Sequence, residues 1–290
     1  MPAAPLRGAI AAAVTPMKDG GRHVDEDGVG RLASFLAGGG IDGILTCGTT
    51  GEGVLLSVPE RRRVTELFLA CRARGFQVAV HAGAQTTSDT IALAAHALEM
   101  AADAVAVIAP PYFPLDDDEL FRHLLAAAGA CDPLPFYVYA FAGRSGYSIP
   151  TSVVERLRHA AANLRGLKVS DTPFSAVEPY LALEGLDVFI GSEPLVLGGM
   201  RRGATGAVSG LASAWPDLVA SLVHDRSQGA HERVVELRER LENLPFHAAL
   251  KEVLVARGVL LHASVRPPLR SLTEDERTVV RSLMTEAVES

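Results

Sequence analysis

The chain has 290 residues, with 27 lysines and arginines against 34 aspartates and glutamates and a formal net charge of −7. Because 48% of the residues are hydrophobic and 21% are charged, the composition excludes a disordered or fibrous protein. The acidic balance argues against nucleic acid and an anionic membrane surface as partners, since both usually recruit a basic face. The length allows either two ordinary domains or one large α/β barrel.

Neither a membrane span nor a disulfide framework is indicated. The longest apolar stretch is broken by the prolines at 110–111 and the acids at 116–118, so it falls short of the roughly 18 residues that a span needs. Cys47, Cys71 and Cys131 are widely spaced and form no C-x-x-C pair. We therefore expect a cytoplasmic protein with free thiols and no thiolate zinc site.

Eight short runs rich in Val, Ile and Ala recur along the chain and alternate with segments of helical periodicity. We predict strands at 8–16, 43–48, 77–83, 104–110, 135–142, 164–170, 187–193 and 206–210. These runs are apolar almost throughout, which is typical of parallel strands covered on both faces. Eight strand–helix units predict a (β/α)8 TIM barrel.

Helices are expected to begin near 58–60, 87–89 and 116–119, where acidic residues would complement a helix N-terminus. The four acids at 116–119 could also be interpreted as a metal site, but carboxylates in a first turn are usually caps, and we predict no metal.

The sequence after the last strand is wholly helical. Predicted helices there cover 216–223, 230–241, 247–257 and 273–287. We therefore divide the chain into a barrel at 1–223 and a C-terminal helical domain at 224–290.

Lys168 stands out because the chain has only three lysines and this one lies in an apolar strand. Strand alternation places Leu167 and Val169 towards the helices and Lys168 inside the barrel, near the strand end where barrel active sites are built. Burial disfavours the ammonium form and leaves more free amine to attack a ketone. The alternative is a lysine that extends to the barrel mouth or pairs with a carboxylate.

Two other features could share a cavity with Lys168. Alternation in the preceding strand turns Tyr139 inward, where it could carry protons or serve only as a core aromatic. The run Gly48-Thr49-Thr50-Gly51-Glu52 follows the second strand, and its backbone N–H groups and hydroxyls suit a carboxylate.

These residues resemble the dihydrodipicolinate synthase and N-acetylneuraminate lyase family over nearly the whole chain. The similarity rests on the 48–52 loop, Tyr139 followed by Gly143-Arg144-Ser145-Gly146, and Gly166-Leu167-Lys168, with further matches at 110–113, 206–210, 246–258 and 266–269. The family implies a barrel with a C-terminal helical domain, a homo-oligomer (dimer or tetramer), and a lysine Schiff base to pyruvate or another 2-oxo acid. It implies no metal and no organic cofactor.

The resemblance also implies roles for single residues. Lys168 would form the Schiff base, Tyr139 would be the general acid/base, and Thr49 and Thr50 would bind the carboxylate and relay protons. Val208 would contribute a backbone contact beside the ketoacid.

Two further roles concern the second substrate and the assembly. Arg144 would hold the second substrate's carboxylate, unless it merely forms a salt bridge in its loop. Tyr112 would reach into the relay of a neighbouring subunit.

Some positions depart from the family pattern. Phe141 adds apolar bulk beside Tyr139, and Gly191-Ser192-Glu193 and Ser213 differ from the residues common in the synthases. These departures line the second-substrate side, so the aldehyde could differ from aspartate semialdehyde. The resemblance implies a 2-oxo acid and an aldehyde as ligands, and 4-hydroxy-tetrahydrodipicolinate synthesis is the leading activity because Arg144 and the 48–52 run follow that branch. Alternatives are an aldolase or dehydratase acting on a sugar acid, such as N-acetylneuraminate or a 2-keto-3-deoxy acid, and a ketoacid-binding protein without turnover.

Overall fold

The computed structural model describes residues 4–285, in which eight parallel strands close into a barrel. The strands are β1 (Gly8–Ala12), β2 (Gly43–Thr46), β3 (Gln77–His81), β4 (Ala104–Ile108), β5 (Phe136–Ala140), β6 (Leu164–Val169), β7 (Asp187–Ile190) and β8 (Gly206–Ser209). Each strand pairs with its neighbours in the chain, and β1 pairs with both β2 and β8. The predicted (β/α)8 barrel is confirmed.

Every strand ends one to four residues earlier than predicted. Ala13 and Val14, for example, were expected in the first strand and are fully buried, yet they lie beyond its end. The chain remains apolar where it turns over the barrel mouth, so composition alone overextends the strands. A short antiparallel hairpin, Met17–Lys18 with His23–Val24, was not predicted.

Twelve helices cover the barrel or follow it in the part of the chain that the structure describes. They are α1 (Glu26–Gly38), α2 (Val58–Ala70), α3 (Thr87–Glu99), α4 (Asp117–Ala130), α5 (Ala142–Ser145), α6 (Thr151–Ala160), α7 (Glu178–Leu181), α8 (Val196–Arg201), α9 (Pro216–His224), α10 (Gln228–Leu241), α11 (Phe246–Ala256) and α12 (Glu274–Thr285).

The helix starts follow local capping chemistry. Ser57 and Glu60 form a reciprocal capping box before α2, and Asp116 and Glu119 form another before α4. The acids at 116–119 are therefore a helix start, as predicted. Within residues 4–285, no cluster of three or more His, Cys, Asp or Glu could hold a metal ion.

The barrel separates two apolar cores. A small inner core fills the barrel and consists of Leu6, Ile10, Ala12, Leu45, Ala79, Ala104, Ala106, Tyr137, Phe189 and Val208. Leu167 and Val169 belong instead to the large outer core under the helices. This is the alternation that the sequence predicts for the strand bearing Lys168.

The C-terminal helices α10, α11 and α12 follow the barrel. Whether the chain divides at residues 223 and 224 stays a prediction, and positions 286–290 of the predicted helical domain lie outside the described residues. No helix within 4–285 combines the length and apolar character that crossing a membrane requires.

Burial lowers the pKa of His123, whose Nδ1 lies 2.9 Å from Thr87 Oγ1 between α3 and α4. Below its usual pKa of about 6.5, the unfolded imidazole takes up a proton that the folded one resists, so lowering the pH favours unfolding. We expect the free energy of unfolding to fall between pH 7 and pH 5.5, and to fall less steeply in His123→Asn. Urea titrations across this range measure the slope. His159→Asn, at an exposed position, is the control, and a slope unchanged by His123→Asn would contradict the assignment.

Candidate active site

Lys168 and Tyr139 lie side by side at the C-terminal mouth of the barrel. Their Cα atoms are register partners on β6 and β5, and both side chains point inward. Lys168 Nζ lies 4.0 Å from the centroid of the Tyr139 ring. The two residues are only 6% and 1% exposed, so the amine and the phenol share one nearly closed compartment.

The loop after β2, residues 47–53, reaches the same compartment; it is named the hydroxyl loop after Thr49 and Thr50. Thr49 Oγ1 lies 3.2 Å from the Tyr139 hydroxyl, which links the loop after β2 to the aromatic on β5. Thr50 is buried, and a Cβ placed on Gly210 would come 3.2 Å from its Oγ1. The structure thus brings the amine, the phenol and the Thr49 hydroxyl together from three strands of the barrel, with Thr50 next to Thr49 in the loop and close to Gly210 after β8.

This loop has an unusual backbone. Cys47 and Glu52 adopt left-handed φ angles of 57° and 59°, which non-glycine residues rarely accept. Gly53 is required, because any Cβ there would lie 1.8 Å from the Cys47 carbonyl oxygen. Thr15 Oγ1 donates to the Gly51 carbonyl at 2.6 Å. The surrounding contacts must therefore stabilise a conformation that the loop would not adopt alone.

A buried ion pair provides much of that support. Lys251 on α11 pairs with Glu52, and both side chains are fully buried. Lys251 Nζ also donates to the Ser264 carbonyl at 2.8 Å, and Arg266 N–H donates to Glu52 Oε2 at 2.6 Å. Burial lowers the pKa of Lys251, while the charge of Glu52 opposes that shift. The C-terminal helices are thus fastened directly to the loop.

His247, also on α11, binds the loop at another point. Its Nε2 lies 3.0 Å from the Thr49 carbonyl oxygen and donates to it. Burial is the main cause that lowers the pKa of His247. The neutral imidazole therefore acts as a donor that fixes the backbone of Thr49.

Val208 and Arg144 are the two remaining residues that were predicted to bind substrate. Val208 belongs to the inner core on β8. Arg144 lies on α5, exposed, with its guanidinium 5.6 Å from the centre of the Phe141 ring. Among residues 4–285 it forms no salt bridge of the kind that the alternative interpretation required. Arg144 instead lines a cavity of about 390 Å³ together with Thr49 and His81.

Tyr112 is not part of this compartment within one chain. It is 81% exposed with a φ of 84°, and its ring packs edge-on against Phe113, 70% exposed, at 4.8 Å. Its predicted catalytic role depends on a second subunit and stays a prediction.

Two positions that depart from the synthase pattern have structural partners. Glu193 is buried and accepts hydrogen bonds from Ser209 Oγ at 2.9 Å and Leu211 N–H at 3.0 Å. Ser213 donates to the Ala12 carbonyl and accepts from Val14 N–H. Both side chains hold backbone around the barrel mouth. Phe141 does lie beside Tyr139, as expected, with ring centroids 6.1 Å apart.

Sequence reasoning missed His81 and Arg61. His81 ends β3, and its ring meets Tyr139 edge-on with centroids 5.9 Å apart. Arg61 on α2 is buried and donates to the carbonyls of His81 at 2.6 Å and Gly83 at 2.9 Å. Alternation from Ala79, an inner-core residue, would have placed His81 inside the barrel.

Comparison with known proteins identifies the family. The model of the dihydrodipicolinate synthetase family matches residues 5–287. The chain belongs to this family. A 4-hydroxy-tetrahydrodipicolinate synthase of Methanothrix thermoacetophila is 31% identical over 97% of this chain and 96% of its own length.

Solved structures of the family superpose closely. Dihydrodipicolinate synthase from Aquifex aeolicus gives a TM-score of 0.91 at 26% identity, covering 97% of this chain and 98% of that one. The N-acetylneuraminate lyase of Proteus mirabilis gives 0.89 at 28% identity with the same coverage. The family resemblance predicted from the loop, tyrosine and lysine motifs is confirmed.

The Glu52–Lys251 pair yields a stability prediction. Lys251→Met leaves the Glu52 carboxylate buried without its cation, and breaking such a pair costs about 3–5 kcal/mol of unfolding free energy. Denaturant unfolding measures the loss. The double variant Glu52→Gln with Lys251→Met should recover part of it, because glutamine is neutral and keeps an oxygen for Arg266 N–H. Arg63→Met, which breaks the exposed pair with Glu26, is the control and should have little effect. Equal losses in Lys251→Met and the control would refute the role of the buried pair.

Proposed function

We propose that this class I aldolase-type enzyme forms a Schiff base between Lys168 and pyruvate or another 2-oxo acid, then joins the resulting enamine to an aldehyde. The supporting observation is the direct contact of the Lys168 amine with Tyr139, whose hydroxyl is hydrogen-bonded to Thr49. The leading specific activity is 4-hydroxy-tetrahydrodipicolinate synthesis from pyruvate and aspartate semialdehyde.

The proposed reaction begins at the amine. Lys168 Nζ attacks the ketone carbon, and the carbinolamine loses water to give an imine. Loss of a proton from the adjacent methyl carbon gives an enamine, whose carbon forms a bond to the aldehyde carbon. Tyr139 would carry protons for these steps, because its ring lies against the Lys168 amine and its hydroxyl is hydrogen-bonded to Thr49. Release of the product by water or by an intramolecular amine regenerates the lysine.

The ketoacid carboxylate is proposed to bind the loop after β2. Thr49 and Thr50 offer hydroxyls and N–H groups there. Val208 would lie beside the ketoacid, and Arg144 would bind the carboxylate of the second substrate through its planar guanidinium. Because the covalent link is made by the protein's own lysine, the proposal calls for no metal and no organic cofactor.

The same first steps, run towards cleavage, would make the enzyme a sugar-acid aldolase. The similarity to the Proteus mirabilis N-acetylneuraminate lyase, slightly higher in identity than that to the Aquifex aeolicus synthase, favours keeping this candidate. Condensation assays with aspartate semialdehyde, run beside cleavage assays on N-acetylneuraminate and 2-keto-3-deoxy acids, separate the two activities. Ketoacid binding without turnover of any of these would favour the non-catalytic binding protein.

We also propose a cytoplasmic homo-oligomer, either dimer or tetramer. The three cysteines are free, which suits a reducing compartment. Val54, Tyr112 and Phe113 are exposed apolar or aromatic side chains that a second copy would cover. Sedimentation velocity would test the assembly.

Covalent trapping tests the Schiff base directly. Incubation with pyruvate and borohydride should add one reduced adduct, and peptide mapping should place it on Lys168. Lys168→Ala should give no adduct, whereas Lys18→Ala, at an exposed lysine, should trap as the wild type does. Wild-type protein that gives no adduct with pyruvate, or an adduct on another lysine, would contradict the proposal.

The phenol of Tyr139 can be tested with a matched pair of variants on β5. Tyr139→Phe keeps the ring against Lys168 but removes the hydroxyl, and we expect turnover to fall about 10²–10⁴-fold. Tyr137→Phe is the control, since that hydroxyl accepts from Leu6 N–H inside the barrel and has no proposed chemical role. Steady-state kinetics of both variants measure the difference. Similar kcat values for the two variants would argue against proton transfer by Tyr139.

A further inference from the structure

We propose that His81 is a positioning residue of the Schiff-base site. Its imidazole holds both the Cys47 carbonyl and the ring of Tyr139, and so fixes the hydrogen bond between Thr49 and Tyr139. This inference rests on the proposed function of Lys168 and Tyr139, and it adds to them a residue that acts through the Cys47 backbone and the Tyr139 ring.

The first support is the contact with Tyr139. His81 is buried at the end of β3, and its ring plane stands at 86° to that of Tyr139. Such an edge-to-face arrangement is a favoured geometry for aromatic pairs. Lys168 Nζ also lies over the Tyr139 ring. The phenol's orientation is thus defined by ring packing as well as by its hydrogen bond to Thr49.

The second support is the hydrogen-bond network of the imidazole. Ile108 N–H donates to His81 Nε2 at 3.4 Å, so that nitrogen accepts and the proton belongs on Nδ1. Nδ1 lies 3.2 Å from the Cys47 carbonyl oxygen and donates to it. Both ring nitrogens are therefore used, and only one tautomer satisfies both contacts.

The third support is the position of Cys47. This residue has the left-handed φ of 57° and directly precedes Gly48 and Thr49. Its carbonyl would be a buried acceptor without the imidazole, and losing its donor would leave a polar group unsatisfied beside a strained backbone. A shift of Cys47 would displace the Thr49 hydroxyl, and small displacements of a catalytic group are costly to turnover.

The charges around His81 favour its neutral form. Arg61 Nη2 donates to the His81 carbonyl at 2.6 Å and lies 3.4 Å from Nδ1, which carries the proton in this tautomer and accepts nothing from it. Burial, and then the positive charges of Arg61 and Lys168, hold the pKa of His81 well below its usual value. A neutral imidazole can donate to Cys47 and accept from Ile108 at once, whereas an imidazolium could not accept.

Three substitutions separate the two contacts of the ring. His81→Asn keeps a donor near the place of Nδ1 but loses the ring. His81→Phe keeps ring packing against Tyr139 but loses the donor. His81→Leu loses both. His123→Asn, at a buried histidine away from the site, controls for the general cost of replacing a buried imidazole.

The readouts are the rate of borohydride trapping at Lys168 with pyruvate, steady-state kcat and KM, and the melting temperature. We expect His81→Phe and His81→Leu to trap at least tenfold more slowly and to raise the KM for pyruvate. His81→Asn keeps the hydrogen bond but loses the ring contact, so it should trap faster than His81→Phe and His81→Leu but more slowly than the wild type, although its melting temperature falls like that of the other two. His123→Asn should lower the melting temperature without slowing trapping.

Each outcome bears on a definite claim. Wild-type trapping rates in folded His81→Phe and His81→Leu would overturn the positioning role while leaving the Schiff-base proposal intact. Full recovery in His81→Phe but not in His81→Asn would overturn the role of the Cys47 hydrogen bond. Wild-type protein that forms no adduct at Lys168 would instead overturn the proposed function, and the role of His81 with it.

Discussion

The site depends above all on the register between β5 and β6. Register partners in a parallel pair point to the same face, so the pairing of Tyr139 with Lys168 sets amine against phenol without any help from a loop. A one-residue slip of β6 would turn Lys168 into the outer core and Leu167 or Val169 into the barrel. The cation would then be buried among apolar side chains, and an aliphatic side chain would face Tyr139. Burial of Leu167 and Val169 under the helices therefore specifies the orientation of the lysine as strictly as any polar contact.

The hydroxyl loop is stabilised in a different way. Its left-handed residues, Cys47 and Glu52, are intrinsically unfavourable, and the structure compensates through contacts that come from distant parts of the chain. Thr15 binds the loop from the segment after β1, while Lys251 and His247 bind it from α11. Rigid strands thus place the lysine and tyrosine, whereas the C-terminal helices define the loop. The helical region is for this reason part of the active-site framework as well as a cover for the barrel.

The sequence was informative where a regular pattern sets the structure. Apolar strands at even spacing predicted the barrel, and two-residue alternation placed Lys168 and Tyr139 correctly. The strand ends could not be found this way, because Ala13 and Val14 stay buried beyond β1. The Glu52–Lys251 pair joins residues 199 positions apart, and no local pattern reports such a contact. His81 was within reach of alternation, but a lone histidine in an apolar strand gave no chemical signal until its neighbours were known.

The electrostatics of the site differ from those of the whole protein. The chain carries a net charge of −7, yet the residues around the barrel mouth include Lys168, Arg61 and Arg144. Arg61 is buried, and it donates to the backbone carbonyls of His81 on β3 and of Gly83 just beyond that strand, so its positive charge is not neutralised there by a carboxylate. Asp89 lines the same cavity as Arg61, and its negative charge opposes that of Arg61. The positive charges of Lys168 and Arg61 would favour the carboxylate of the proposed ketoacid inside an acidic protein, and the buried, neutral His81 adds no further cation to this site.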